Sequence, residues 1–171
     1  MKKMSVPDTI KFFLSIALAF IITACAPVIS DKSLREANLS VSFQELQKNP
    51  SAYLGKVVVL GGVILSTTVK QEETLVEVLQ QPLDRQYRPE NRDISYGRFL
   101  VVFQGFLDPA IYAPYRLITV AGEVTGKKVL PIKEIQYTYP VLAAREHALI
   151  KPEDYNNEPR FHFGFGIGII R

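Results

Sequence analysis

Residues 56–69 read KVVVLGGVILSTTV. Side chains branched at Cβ restrict rotamers in a helix and pack well on a pleated surface, so this run predicts extended chain. It is long for one strand, and Gly61-Gly62 interrupts it. A glycine pair inside a strand marks a bulge or a sharp bend. Four more strands follow. TLVEVLQQ is joined through a polar turn at Gln71, Glu72 and Glu73, and RFLVVFQ comes after a long irregular loop from Pro82 to Gly97. RLITVAGEVTG is closed by Gly126, and EIQYTYPVLAAREHALI is bent or broken near Pro140. Between the third and fourth strands, DPAIYAPY predicts a short helical turn, with Asp108 as cap and Pro109 at the first position. Five strands, a bent first strand and that helical segment describe a mainly β, OB-like small five-stranded barrel. A plain antiparallel sheet with one helix packed on it is the alternative. Phe99, Val101 and Phe103 share one face of the third strand and are expected in the interior.

The flanks of this domain (41–152) differ in character. SFQELQKNP predicts a short helix. Ser42 and Glu45 have capping-box spacing, Phe43 and Leu46 share a face, and Pro50 stops the helix. Residues 26–40, APVISDKSLREANLS, are polar with weak periodicity and read as a tether. After KPEDYNNEP, a linker by composition, the chain ends in FHFGFGIGII. In that tail (within 153–171), Phe161, Phe163 and Phe165 would line one face of a strand with Ile167 and Ile169, opposite a face that is nearly bare. One reading is a flexible end. Another is packing on the domain, on an envelope protein or on a second copy.

The first 24 residues follow a different plan. Lys2, Lys3 and Lys11 precede an apolar stretch from Phe12 to Ile22, then two small residues, then Cys25, the only cysteine. This is the layout of a secretory signal peptide, and the apolar stretch is short of the roughly 20 residues a spanning helix needs. Ile22, Thr23, Ala24 and Cys25 resemble the lipobox of bacterial lipoproteins. That resemblance implies cleavage after residue 24 and a diacylglycerol plus an N-acyl chain on Cys25, with no other cofactor. More than one acyl chain makes membrane attachment stable. Residue 26 is Ala rather than Asp, which in Gram-negative lipoproteins implies sorting to the outer membrane.

Charge narrows the function classes. The whole chain carries 20 Lys+Arg against 17 Asp+Glu, but Lys2, Lys3, Lys11 and Asp8 precede Cys25. The mature chain therefore keeps 17 basic and 16 acidic residues, a net of +1, which offers nothing to a polyanion. The first two strands hold no aromatic residue on which a base would stack, so nucleic acid is not an expected partner. Arg85, Arg88 and Arg92 lie in the long loop with Asp84, Glu90 and Asp93. They are either an interaction surface for an anionic envelope component or a solvated mixed-charge loop. His147 and His162 are far apart with no thiolate partner, which is no metal-ligand spacing. No G-x-S-x-G, P-loop or dinucleotide fingerprint occurs, and Asp108 has no second carboxylate placed to work with it. No catalytic residue is assigned.

QQPLDRQYRP, YGRFLVVFQGFLDPAIY and RLITVAGEVTG, in this order and behind a lipobox, resemble the Slp family of outer-membrane lipoproteins, named for members induced in starved or stationary-phase cells. The resemblance covers about residues 43–150 and is most specific at GFLDP and TVAGEVTG. It implies an address and an anchor and does not imply an enzymatic activity; the domain is expected to face the periplasm and to be non-catalytic. The expected role is a structural, interaction or stress-adaptation module of the cell envelope. A ligand-binding or unrecognised enzymatic envelope protein is the alternative.

Overall fold

In the computed structural model of the chain, residues 26–90 and 93–151 are described. The glycine-interrupted run is one continuous strand, β1 (Val57–Val69). From Val57 to Val63 it pairs with residues 117–123. From Gly62 to Val69 it pairs with residues 74–80 on its other edge. The strand thus changes neighbours at the glycine pair, which is the corner a small barrel needs. A Cβ on Gly62 would lie 1.9 Å from the Leu79 carbonyl oxygen, and one on Gly61 would lie 2.8 Å from the Ile118 carbonyl oxygen. Neighbouring backbones approach too closely there for any side chain.

The remaining strands are β2 (Glu73–Gln80), β3 (Arg98–Gln104), β4 (Leu117–Ile132) and β5 (Ile135–Ile150). They close in the order β1-β2-β3-β5-β4 and back to β1. Every ladder is antiparallel except β3 with β5, where Leu100, Val101 and Val102 run parallel to Val141, Leu142 and Ala143. This is the expected OB-like barrel. Alternation along the strands sends Val58, Leu60, Ile64, Val76, Val78, Ile118, Val120, Val124 and Leu142 inward, together with Phe99, Val101 and Phe103 as their spacing predicts. The barrel interior is the hydrophobic core.

Two short helices precede the barrel: α1 (Asp31–Glu36) and α2 (Phe43–Lys48). The expected capping box starts α2. The Ser42 hydroxyl accepts from the Glu45 N–H, and the Glu45 carboxylate accepts from the Ser42 N–H at 3.1 Å. Phe43 and Leu46 are buried in the core, and the Phe43 ring lies 6.1 Å from that of Phe99. Gln47 donates to the Tyr137 hydroxyl. Because Phe99 opens β3 and Tyr137 lies near the start of β5, α2 plugs the end of the barrel where β1, β3 and β5 begin.

Two expectations are corrected and one is met. Residues 26–40 are not a free tether, because this stretch contains α1 and is strapped to the barrel. The DPAIYAPY segment forms the expected short helical turn: Ile111 and Tyr112 donate to the Asp108 carbonyl, and the chain then meets Pro114, which has no N–H. Tyr115, at a φ of 70°, ends it. Finally, Gly126 does not close the fourth strand, since β4 continues to Ile132 and forms a long hairpin with β5 beyond the barrel wall. Pro140 is accommodated on this hairpin, one residue before the parallel ladder with β3 begins.

Candidate functional site

The N-terminal strap is held by one carboxylate far away in sequence. Glu146 on β5 accepts the Ser30 N–H at 2.8 Å, the Ser30 hydroxyl at 2.6 Å and the Ser33 hydroxyl. Those hydroxyl bonds, from Ser30 and then Ser33, hold the Glu146 carboxyl below the usual carboxylate range, so it is ionised at neutral pH. Ser30 is also the N-cap of α1. Upstream, the Val28 N–H donates to the Gln86 carbonyl at 3.0 Å, and Ile29 is 0% exposed. Downstream, Ala37 bridges to Val57, and the Asn38 N–H donates to the Val57 carbonyl at 2.8 Å. A trans peptide chain extends at most about 3.6 Å per residue, so Cys25 is held within about 14 Å of Ile29 by covalent geometry alone. Cys25 itself, with Ile22, Thr23 and Ala24, lies outside the described residues.

Gln86 belongs to the long loop, which is built around Asp84. One Asp84 carboxylate oxygen accepts the Gln86 and Arg88 N–H groups, each at 2.8 Å, and the other accepts the Arg88 guanidinium at 2.8 Å. The Tyr87 carbonyl accepts the hydroxyl of the fully buried Thr119 at 2.7 Å. Leu83 bridges to Pro89, and the Gln81 N–H donates to the Gly61 carbonyl. The bare Gly61 therefore serves twice, at the barrel corner and as the floor on which this loop lies. The expected arginine surface separates: Arg88 is engaged inside the loop, Arg85 is exposed, and Arg92 lies outside the described residues. Phe161, Phe163 and Phe165 also lie outside them.

The barrel end opposite α2 is covered by residues 105–116, which join β3 to β4. Their base is fixed. The Tyr112 hydroxyl and His147 Nε2 are 2.7 Å apart, and the Tyr112 carbonyl accepts the Thr67 hydroxyl at 2.7 Å. The His147 ring stands edge-on to Phe103 at 5.0 Å. Burial pushes His147 down and Tyr112 up, so the pair is uncharged at neutral pH. Thr74 accepts from the Leu107 N–H and donates to the Gly105 carbonyl. The Tyr115 N–H donates to the Ile64 carbonyl, and the Ile64 N–H to the Arg116 carbonyl. From this base Phe106, Ile111 and Tyr115 project outward, 70%, 52% and 87% exposed. Sequence reasoning did not single them out. The available signal was a run of bulky apolar residues broken by two prolines, with Asp108 and Arg116 as its only charges, which no amphipathic period could bury.

On the outer barrel wall, alternation turns Glu73, Leu75, Glu77 and Leu79 of β2 outward. Arg98 donates to Glu77 at 3.0 Å, and the Tyr139 hydroxyl donates to the same oxygen at 2.9 Å. Burial, and then the Glu77 bond, raise the Tyr139 phenol, so it stays protonated and keeps donating. These three groups saturate one another. The wall that other OB folds use for oligonucleotides has here a neutralised cation and half-buried aliphatic side chains in place of stacking platforms. Among the described residues, no group of three or more His, Cys, Asp or Glu side chains is placed to hold a metal ion, and no helix is long and apolar enough to cross a membrane.

The profile of the family described as "Outer membrane lipoprotein Slp family" matches residues 22–165. An uncharacterized protein of Haemophilus influenzae is 35% identical over 78% of this chain and 72% of its own length. The outer membrane protein Slp of Escherichia coli is 27% identical over 74% of this chain and 67% of its own. The uncharacterized lipoprotein YeaY of Escherichia coli is 27% identical over 79% and 69%. No solved structure matches the chain significantly.

Proposed function

Because this chain belongs to the outer membrane lipoprotein Slp family, we propose that it is a non-catalytic envelope module whose barrel is held directly against the periplasmic face of the outer membrane by lipid on Cys25. In this reading the leader is cut after Ala24. The Cys25 sulfur carries a diacylglycerol through a thioether, and its new amino group carries an acyl chain. The domain serves the envelope through contacts, as a structural or stress-adaptation element. The observation that carries the reading is the docked strap. With Val28 bonded to Gln86 and Ile29 buried, only Ala26 and Pro27 separate the acyl acceptor from the folded domain. A module meant to reach far into the periplasm would need a long, free linker.

Cys25→Ser tests the anchor. The hydroxyl does not replace the thiolate as lipid acceptor, so the variant accumulates with its leader attached and takes up no labelled fatty acid in growing cells. Equal labelling of variant and parent would refute the assignment.

A further inference from the structure

The strap and the exposed rim loop have adjacent roots. Glu146 fixes Ser30 and Ser33, and the next residue, His147, fixes Tyr112. Consecutive Cα atoms are about 3.8 Å apart. The segment that carries the lipid and the loop that carries Phe106, Ile111 and Tyr115 are therefore fixed at neighbouring positions of β5, through opposite faces of the strand. Cys25 is within about 14 Å of Ile29, so the bilayer surface passes close to this rim.

The loop's composition selects its partner. Within 105–116 the ionisable groups other than the tyrosines are Asp108, whose carboxylate accepts the Ala110 N–H at 2.8 Å, and Arg116 at the root of the loop, next to β4. The bulky side chains are one phenylalanine, one isoleucine and a tyrosine, the last held out by a positive φ. Aromatic side chains with a polar tip favour the headgroup region, where the ring is desolvated and the hydroxyl stays wet. An exposed apolar group of this kind on a water-facing rim would have no compensation. Beside a lipid anchor it has one.

Resting on the anchor reading above, we propose that the loop 105–116 is a second, shallow membrane contact. Phe106, Ile111 and Tyr115 enter the headgroup region of the leaflet that holds the Cys25 lipid. The two contacts together fix the barrel's orientation, with the plugged end and the β4–β5 hairpin tip directed away from the bilayer.

The test uses the full mature lipoprotein in vesicles of phosphatidylethanolamine and phosphatidylglycerol. With the Cys25 sulfur acylated, Ile111→Cys provides one free thiol for an environment-sensitive fluorophore, and Glu134→Cys at the hairpin tip provides the distal control. Mass spectrometry of each preparation records the acyl groups on residue 25. A nitroxide placed high on the lipid acyl chains is expected to quench the label at 111 at least about twofold more than the label at 134, as suits an insertion of about 5–10 Å. Adding Phe106→Ser and Tyr115→Ser should reduce that quenching. An acylated protein whose two labels quench equally overturns the loop contact alone. A label at 111 that is shielded from water yet unquenched means a protein covers the loop, a second copy or the C-terminal segment, and overturns the lipid assignment. Absence of acyl groups on residue 25 overturns the anchor reading and this inference with it.

Discussion

Replacing Gly62 by alanine should be among the most costly small changes this barrel can suffer, and Gly126 supplies the control. The two glycines have similar backbones, with φ of +158° and +150°, and both are strained for a residue with a Cβ. They differ in space. Gly126 has nothing within 4 Å of a built Cβ, whereas at Gly62 the Leu79 carbonyl oxygen lies at 1.9 Å and its carbon at 2.8 Å. Gly126→Ala thus reports backbone strain alone, about 1–2 kcal/mol. Gly62→Ala adds the overlap. Bringing the oxygen from 1.9 Å out even to 3.0 Å means moving a strand backbone, since no rotamer change relieves it. That shift disturbs the end of the β1–β2 ladder, where the Gln81 N–H donates to the Gly61 carbonyl. At about 1 kcal/mol per hydrogen bond, plus overpacking of about 1–3 kcal/mol, the extra cost is about 2–4 kcal/mol. This is a large share of a typical domain stability and lowers the melting temperature by roughly 10 °C beyond the control. Urea denaturation of residues 26–171 without lipid, followed by circular dichroism, gives the comparison. Equal midpoints for the two variants would show that β1 does not turn its corner at Gly62.

Two further outcomes follow from the strap and the rim. Unfolded histidine and carboxylate values are near 6.5 and 4.5, and both His147 and Glu146 titrate lower in the folded chain. The unfolded chain therefore takes up protons first as pH falls. Stability should decline from about pH 7 downward through the His147 step, and again below the unfolded carboxylate value as Glu146 is neutralised and releases Ser30 and Ser33. His147→Gln should flatten the first decline, and Glu146→Gln should flatten the second while speeding amide exchange at residues 28–37; pH-dependent denaturation and hydrogen exchange check both. Removing 157–171 should leave the melting temperature nearly unchanged, because the described strands already close the barrel around its core. It should weaken self-association or vesicle binding in sedimentation, and a large drop in melting temperature would instead make the tail part of the core.

The barrel was legible because its signals are local. The glycine pair in a β-branched run marked the corner, strand alternation marked Phe99, Val101 and Phe103, and Ser42 with Glu45 marked α2. What escaped depends on distant partners. Ile29 is one apolar residue in a polar stretch, and the carboxylate that fixes its neighbour Ser30 is 116 positions away. No local pattern distinguishes such a strap from a tether. Asp108-Pro109 marked the short helical turn, but nothing local showed that Phe106, Ile111 and Tyr115 around it stay exposed. The arginines of the long loop looked like a set because they are close in sequence. Asp84 draws Arg88 inward and leaves Arg85 outside, which composition alone does not encode.

The central claim is that lipid on Cys25 holds the barrel at the outer membrane. Mass spectrometry of the N-terminal peptide, from protein purified out of outer-membrane fractions, tests it most directly. The expected peptide begins at Cys25, lacks residues 1–24 and carries the mass of a diacylglycerol and an N-acyl chain. A peptide that begins elsewhere, or one with an unmodified Cys25 thiol, would contradict it.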